Sequence, residues 1–456
     1  MSKERFMEVS SDWDNLDNIH INLSQEGYDT IMDGPRPNGS SKSWYIKETG
    51  KMSPPYTLGK WNFFDEIGNW FSNKRLKEQH HIHIIDPHHC HFKPVEQLKG
   101  EKHLYIITVY NPDFFEWNKN IGFSCMDEQY QKDVREGNCY VVVLYPYEGY
   151  PGTPGNRDFE WVELWRKKAA FPPGSVHFVT GNLAGPNNPV IKKSGVVAHP
   201  VCMFDSWNHM TIDEPIPNYE PVDDKNLFLS YNRNPRYSRV YLVCKMIEYG
   251  VLNRGLVSLQ KPDWWKEGNN IQRGDGTTDE SYHKLGRMLP LELEDNTFFN
   301  LACNINTEEH RRTFMSIVTE TLVEEGTLFL SEKIWKPIQV GHPFMVLGST
   351  GTLDYLRNHG FRTFGEWWDE SYDQMMDYRL KAEAIMKQVR KISEYSVEDL
   401  KIIRGEMEEV IRHNKELHYK KQIEDWGLHQ SRKPVFMLKL LQKLYYNLHN
   451  APDNLL

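Results

Sequence analysis

From residue 103 onward, short apolar runs alternate with amphipathic stretches, and this alternation restricts the available folds more than any other feature of the chain. HLYIITVY, CYVVVLY, SVHFVTGNL and VVAHPVCMF have the length and apolar density of buried strands, whereas FEWVELWRKKAAF among them carries its apolar residues at helical spacing. Strands apolar on both faces belong to parallel sheets, whose crossover helices cover both sides. A second series follows. NLFLSYN reads as a strand, SRVYLVCKMIEYG as a helix ended by Gly250, and LVSL and FMSIVTET as strands. SEKIWKPIQVG is a predicted helix, PFMVLG a strand, GTLDYLRNHG a helix, and TFGEWW a short segment. The stretch from Lys261 to Asn296 reads as a long excursion.

Between the two series, DSWNHMTIDEPIPNYEPVDD is acidic, rich in proline and aperiodic, as a connection between domains should be. After residue 370, SYDQMMDYRLKAEAIMKQVRKI, VEDLKIIRGEMEEVIRHNKELHY and PVFMLKLLQKLYYNL have helical spacing. A chain of 456 residues is long enough for two cores. The expected organisation is therefore α/β: two Rossmann-like domains at 1–210 and 225–395 facing a cleft, then helices over 396–456 that pack back across them.

Composition narrows the function. The formal charge of -9 argues against a protein that coats nucleic acid nonspecifically, which needs a basic face. No run approaches the roughly 18 apolar residues of a membrane helix, and MSKERFMEVSSDWDN has no apolar segment after its charges. The expectation is a cytoplasmic protein without a transmembrane segment. Six scattered cysteines, Cys90, Cys125, Cys139, Cys202, Cys244 and Cys303, fit reduced thiols better than a disulfide framework or a zinc ribbon.

The segment richest in chemistry is Thr319 to Phe364. Ligands of open α/β sheets bind beyond the carboxyl ends of the strands, where helix N-termini favour anions. Ser331, Glu332 and Lys333 open such a helix: a glutamate there can accept from both hydroxyls of a ribose, and the lysine can neutralise a diphosphate. Ser331 is also a plain helix cap, and charged residues are commonplace in a first turn.

SEKIWKPIQVGHPFMVLGS resembles the donor-binding stretch of α-1,3-fucosyltransferase-like glycosyltransferases, and GTLDYLRNHGFRTF followed by WDESYD resembles glycosyltransferase-like proteins of tailed bacteriophages. The resemblance covers about the last 230 residues. It implies a GT-B arrangement, with acceptor binding in the N-terminal domain and the nucleotide-sugar in the C-terminal one. Glu332 then becomes the ribose ligand, Lys333 a diphosphate ligand, and Thr319, Glu320 and Thr321 line the nucleotide pocket. UDP- or GDP-sugar is the expected co-substrate, with no tightly bound cofactor, no metal ligands and an inverting, metal-independent transfer.

Arg233, Arg236 and Arg239 in SYNRNPRYSR occupy a strand-to-helix turn where guanidinium groups suit a leaving diphosphate; the alternative is an exposed basic turn. An inverting transferase also needs a base for the acceptor hydroxyl. Glu148, in a Gly- and Pro-rich loop after a buried strand, is the first choice, then Asp158, with Glu160 and Asp205 behind them. Gly181 and Asn182 fall at a strand end and either shape the acceptor pocket or form a turn. The acceptor implied by the phage-like segment is a hydroxylated cytosine in DNA receiving glucose or arabinose, its flipped base held by Trp61, Trp70 or Tyr150. A surface glycan or lipid-linked sugar is the alternative acceptor, and a non-catalytic nucleotide- or glycan-binding module the alternative class. The histidine-rich HHIHIIDPHHCHF matches no zinc spacing, and Asp12-Trp13-Asp14 precedes any strand; neither is taken as a metal site.

Overall fold

The computed structural model describes short strands at 44–46, 51–53 and 82–85, then most of 102–448; 109–121, 146–156, 203–214, 233–234, 262–278, 294–304, 427–439 and some shorter stretches lie outside the described residues. Among the described residues there are two parallel sheets, with helices between their strands. A small antiparallel ribbon of β1 (Trp44–Ile46) and β2 (Lys51–Ser53) precedes them.

The first sheet runs in strict sequential order through β3 (Ile82–Ile85), β4 (His103–Thr108), β5 (Cys139–Tyr145), β6 (Val176–Thr180) and β7 (Val196–Pro200), all parallel. Right-handed crossovers between strands added always on the same side place every connecting helix on one face. Accordingly α1 (Glu128–Arg135) and α2 (Arg157–Lys168) share one core: Tyr130, Val134, Phe159, Val162 and Trp165 pack on Tyr105, Val141, Val143 and Phe178. Short α3 (Pro189–Lys193) joins β6 to β7. The other face buries Leu104, Val142, Leu144 and Val179. There, His177 Nδ1 lies 2.9 Å from His199 Nε2, and Lys443 of the C-terminal segment is close enough to oppose protonation of His199.

The second sheet has the order β11-β10-β8-β9, built from β8 (Phe228–Asn232), β9 (Gly255–Leu259), β10 (Met315–Thr319) and β11 (Phe344–Leu347). The chain starts in the middle, adds β9 on one side and then returns to add β10 and β11 on the other. That reversal sends the helices to opposite faces. Thus α4 (Tyr237–Glu248) packs with α5 (Asp279–Met288) and α9 (Tyr378–Ile392), whereas α7 (Glu332–Val340) packs with α6 (Thr307–Arg312) and α11 (Glu408–Trp426). α8 (Thr352–Asn358) follows β11, and α10 (Val397–Glu406) precedes α11.

Most expected elements of this half are present, with three differences. The predicted excursion after Lys261 contains α5, whose polar sequence DESYHKLGRM offers only Tyr282 and Leu285 to the core, too few for a visible apolar stripe. The predicted helix at 371 begins instead as a 3₁₀ turn, Ser371–Gln374, and α9 starts at Tyr378, where Asp377 caps Arg379 N. The predicted helix VEDLKIIRGEMEEVIRHNKELHY divides at Met407 into α10, opened by a Ser396–Asp399 capping box, and α11, while most of PVFMLKLLQKLYYNL lies outside the described residues. Gly341 ends α7 at φ 80°, and a Cβ there would come within 2.9 Å of Ile216 and 3.0 Å of Ile411, so only glycine suits both the turn and the packing.

Candidate functional site

The backbone ladder between β8 and β10 links Phe228 to Met315 and Leu229 to Ser316. Beyond these pairs, side chains span the two strands. Ser230 Oγ donates to the Ile317 carbonyl at 3.0 Å, and Thr319 Oγ1 donates to Asn232 Oδ1 at 2.5 Å. This is the point where the strand order reverses, so the connections after β8 and β10 leave toward opposite faces and a crevice opens at the carboxyl ends. A cavity of about 470 Å³ occupies that position, between the ends of β8 and β10 and the starts of α4 and α7.

The start of α7 is assembled from below. Ser331 is the N-cap, its Oγ accepting from Lys333 N. Glu320, fully buried, accepts at Oε2 from Ser331 N at 3.1 Å, from Ser331 Oγ and from Thr321 N at 3.3 Å, and so ties the end of β10 to the first turn of the helix. Burial raises its pKa, only partly offset by Lys333 and Ser331. Glu332 then projects to the cavity beside Lys333, whose Nζ donates to Glu332, to Thr321 Oγ1 at 3.2 Å and to Ser331 Oγ at 3.3 Å. Burial pushes the Glu332 carboxyl up, but Lys333 and Lys336 outweigh it, and the net effect holds the group ionised.

Two arginines close the opposite side. Arg236, at the N-cap of α4, donates through Nη1 to the Thr321 carbonyl at 3.0 Å; Arg239, one turn on, reaches the Thr319 carbonyl through Nη2 at 3.4 Å. Both guanidiniums thus reach backbone carbonyls at or just beyond the end of β10, and both side chains line the cavity. Arg239 is 3% exposed, so the exposed-turn alternative does not describe it. Burial and then Arg236 lower its pKa to about 10, with Glu332 and Glu320 opposing, and it stays charged at neutral pH. Lys336 adds a fourth cation, its Nζ 5.8 Å from the centre of the Tyr231 ring.

The tertiary structure thus gathers Arg236, Arg239, Thr319, Thr321, Glu332 and Lys333 around one space. Glu320 and Ser331, expected in the same lining, lie beneath it as supports. Lys336, Tyr231, Gln260 and His310 line the cavity and escaped the sequence reading. Lys336 was findable, because it sits one helical turn after Lys333; His310, on a different helix, carries no local signal.

Asn182 follows β6 and is 1% exposed. Its Oδ1 accepts from Ala184 N and Leu328 N, both at 3.0 Å, and its Nδ2 donates to the Gly326 carbonyl at 3.3 Å. All its polar atoms are engaged in shaping its own turn and in holding the segment that leads to Ser331. Gly181 adjoins it, buried, directly after the end of β6. Asp158 lies in the first turn of α2, and Glu160 follows it, exposed. Glu148, Arg233 and Asp205 lie outside the described residues, as do Trp61, Trp70, Tyr150, Asp12-Trp13-Asp14 and the histidines at 88, 89 and 91. Among the described residues no group of three or more His, Cys, Asp or Glu could hold a metal ion, and no helix is long and apolar enough to cross a membrane.

No protein-family model matches the sequence, and no curated protein matches it.

Proposed function

We propose that the chain is a glycosyltransferase that binds a nucleotide-sugar in the cavity between β8 and β10. The observation that carries this reading is the composition of the cavity among the described residues: four cations, Arg236, Arg239, Lys333 and Lys336, and one carboxylate, that of Glu332, at the reversal point of a parallel sheet and the starts of two helices. A cluster of cations beside a helix N-terminus suits a diphosphate, and an ionised carboxylate that only accepts suits the two hydroxyls of a ribose.

In this reading the bond between the anomeric carbon and the diphosphate oxygen breaks while the acceptor oxygen bonds to that carbon. Arg236, Arg239 and Lys333 hold the charge that collects on the departing diphosphate, the part a divalent ion plays in other transferases. The acceptor proton passes to a carboxylate of the N-terminal half, with Glu148 first and Asp158 second. The acceptor assigned is a hydroxylated cytosine in phage DNA, with glucose or arabinose as the sugar, and an inverting transfer.

Thermal melting with UDP-, GDP-, CMP- and dTDP-sugars, with and without EDTA, tests the donor site, since a ligand that binds only the native state raises the melting temperature. One nucleotide should raise it in the presence of EDTA, and that sugar should then be transferred to hydroxymethylated DNA. No shift with any nucleotide-sugar would sink the donor assignment; transfer to a glycan in place of DNA would overturn the acceptor.

A further inference from the structure

His310 lies on α6, is 2% exposed and forms part of the cavity wall. Its Nδ1 is 2.7 Å from the Asn306 carbonyl, which can only accept, so Nδ1 carries the proton and Nε2 keeps a lone pair. No described residue engages Nε2. Burial, Lys336 and Arg404 all oppose a second proton, and the ring is neutral down to about pH 4. Its height in the cavity is set through His342, which packs edge-on to it at 5.1 Å and bonds Ser316 Oγ at 2.8 Å. Ser316 is three residues, about 10 Å, back along β10 from Thr319, so His310 stands well below the cations at the strand ends. Lys336 is its neighbour there, close enough to act on both His310 and Glu332, and the Tyr231 ring centre lies 6.2 Å from that of His310.

A buried lone pair beside a lysine ammonium matches one edge of a heterocycle: a ring N–H next to a carbonyl. We infer that this end of the cavity reads the base of the bound nucleotide, with His310 Nε2 accepting a ring N–H and Lys336 donating to the adjacent carbonyl, so that uracil, thymine and guanine are selected over cytosine and adenine. Cytosine and adenine present a bare ring nitrogen where that N–H would lie, and two lone pairs then face each other without a proton. The inference rests on the proposed nucleotide site and specifies what that site accepts.

Calorimetric titration of the full chain at pH 7.5 with UDP, GDP, CDP, ADP and inorganic pyrophosphate separates the two levels. The better of UDP and GDP should bind at least about tenfold tighter than CDP and ADP, the ratio expected when a buried acceptor is left unpaired. His310→Leu should reduce that preference to within about threefold and leave pyrophosphate affinity unchanged. His310→Gln, which retains an acceptor, should keep most of the preference, and Lys336→Met should lose it. Thermal melting confirms that each variant is folded, and Lys336→Met carries the test if the His310 variants are not. CDP or ADP binding as tightly as the best lactam nucleotide, or a preference that survives both His310→Leu and Lys336→Met, would overturn the inference while the nucleotide site stands. Failure of every nucleotide and of pyrophosphate to bind would remove the site itself.

Discussion

Asn182 Oδ1 accepts the backbone N–H of Leu328 at 3.0 Å, a hydrogen bond between residues 146 positions apart that ties the end of β6 to the segment leading into Ser331 and Glu332. The first sheet thereby helps place the start of α7. Asn182→Ala leaves the part-buried N–H of Leu328 without its acceptor and should cost about 1–3 kcal/mol. Urea denaturation measures that loss. Asn182→Asp keeps the Oδ1 acceptor for Leu328 but buries a charge and sets its second oxygen against the Gly326 carbonyl, so at pH 7 it should lose at least as much as Asn182→Ala. Relative to the wild-type chain, the loss should shrink as the pH falls to about 4 and the carboxyl protonates; a loss that does not change with pH would show that the Gly326 contact contributes little.

Arg236 reaches the Thr321 carbonyl with one nitrogen and has other donors for an anion. Arg236→Ala should weaken nucleoside diphosphate binding by roughly tenfold, with Arg236→Lys intermediate because a point charge cannot make a bidentate contact. The weakening should shrink at high salt, since the lost interaction is electrostatic. Unchanged affinity in calorimetry would place the diphosphate elsewhere.

Glu332 and Lys333 form an ion pair with each other. Glu332→Gln removes the charged acceptor proposed for the ribose and releases Lys333 toward the proposed diphosphate site. Affinity for UDP or GDP should therefore fall by roughly tenfold, whereas inorganic pyrophosphate should bind at least as tightly as before. A parallel fall for both ligands would mean that Glu332 acts by holding Lys333 in place and makes no contact with the sugar.

Glu148→Gln separates chemistry from binding. Donor affinity should be unchanged and transfer should drop by at least about a hundredfold, the size of a general-base contribution. Normal turnover in Glu148→Gln transfers the role to Asp158.

The buried histidines set a pH dependence. Burial, then the neighbouring His199, lowers the pKa of His177 to about 3; burial, then Lys443, lowers that of His199 to about 4; and burial lowers that of His310 to about 4. The unfolded chain takes up a proton on each near pH 6.5, and the native state resists until about pH 4. Stability from these groups is thus complete above pH 6.5 and is lost as pH falls toward 4, by up to about 1.4 kcal/mol per pH unit for each histidine. Melting temperatures between pH 7 and pH 4.5 should show this decline, and the His177→Gln/His199→Gln double variant should decline less steeply. A slope unaltered by the double variant would exclude the pair as its source.

The strands β4 to β11, the helix starts at Ser331 and Thr352 and the stops at Gly250 and Gly341 are written locally, because apolar period, caps and left-handed glycines act over a few neighbouring residues. The amino-acid sequence therefore determined two parallel α/β series and placed Glu332 and Lys333 at a helix N-terminus. Tertiary structure decided which of the charged residues share a space. Glu320 and Glu332 are both glutamates near a strand end or helix start, yet one is buried under Ser331 and the other meets the cavity. Arg239 looks like part of a surface turn until α4 packs it against the end of β10, and His310 and Asn182 act through partners on other elements. The strand order β11-β10-β8-β9 decides all of these, because it sets which ends meet at the crevice, and it arises from long-range pairing and core burial that no local pattern encodes.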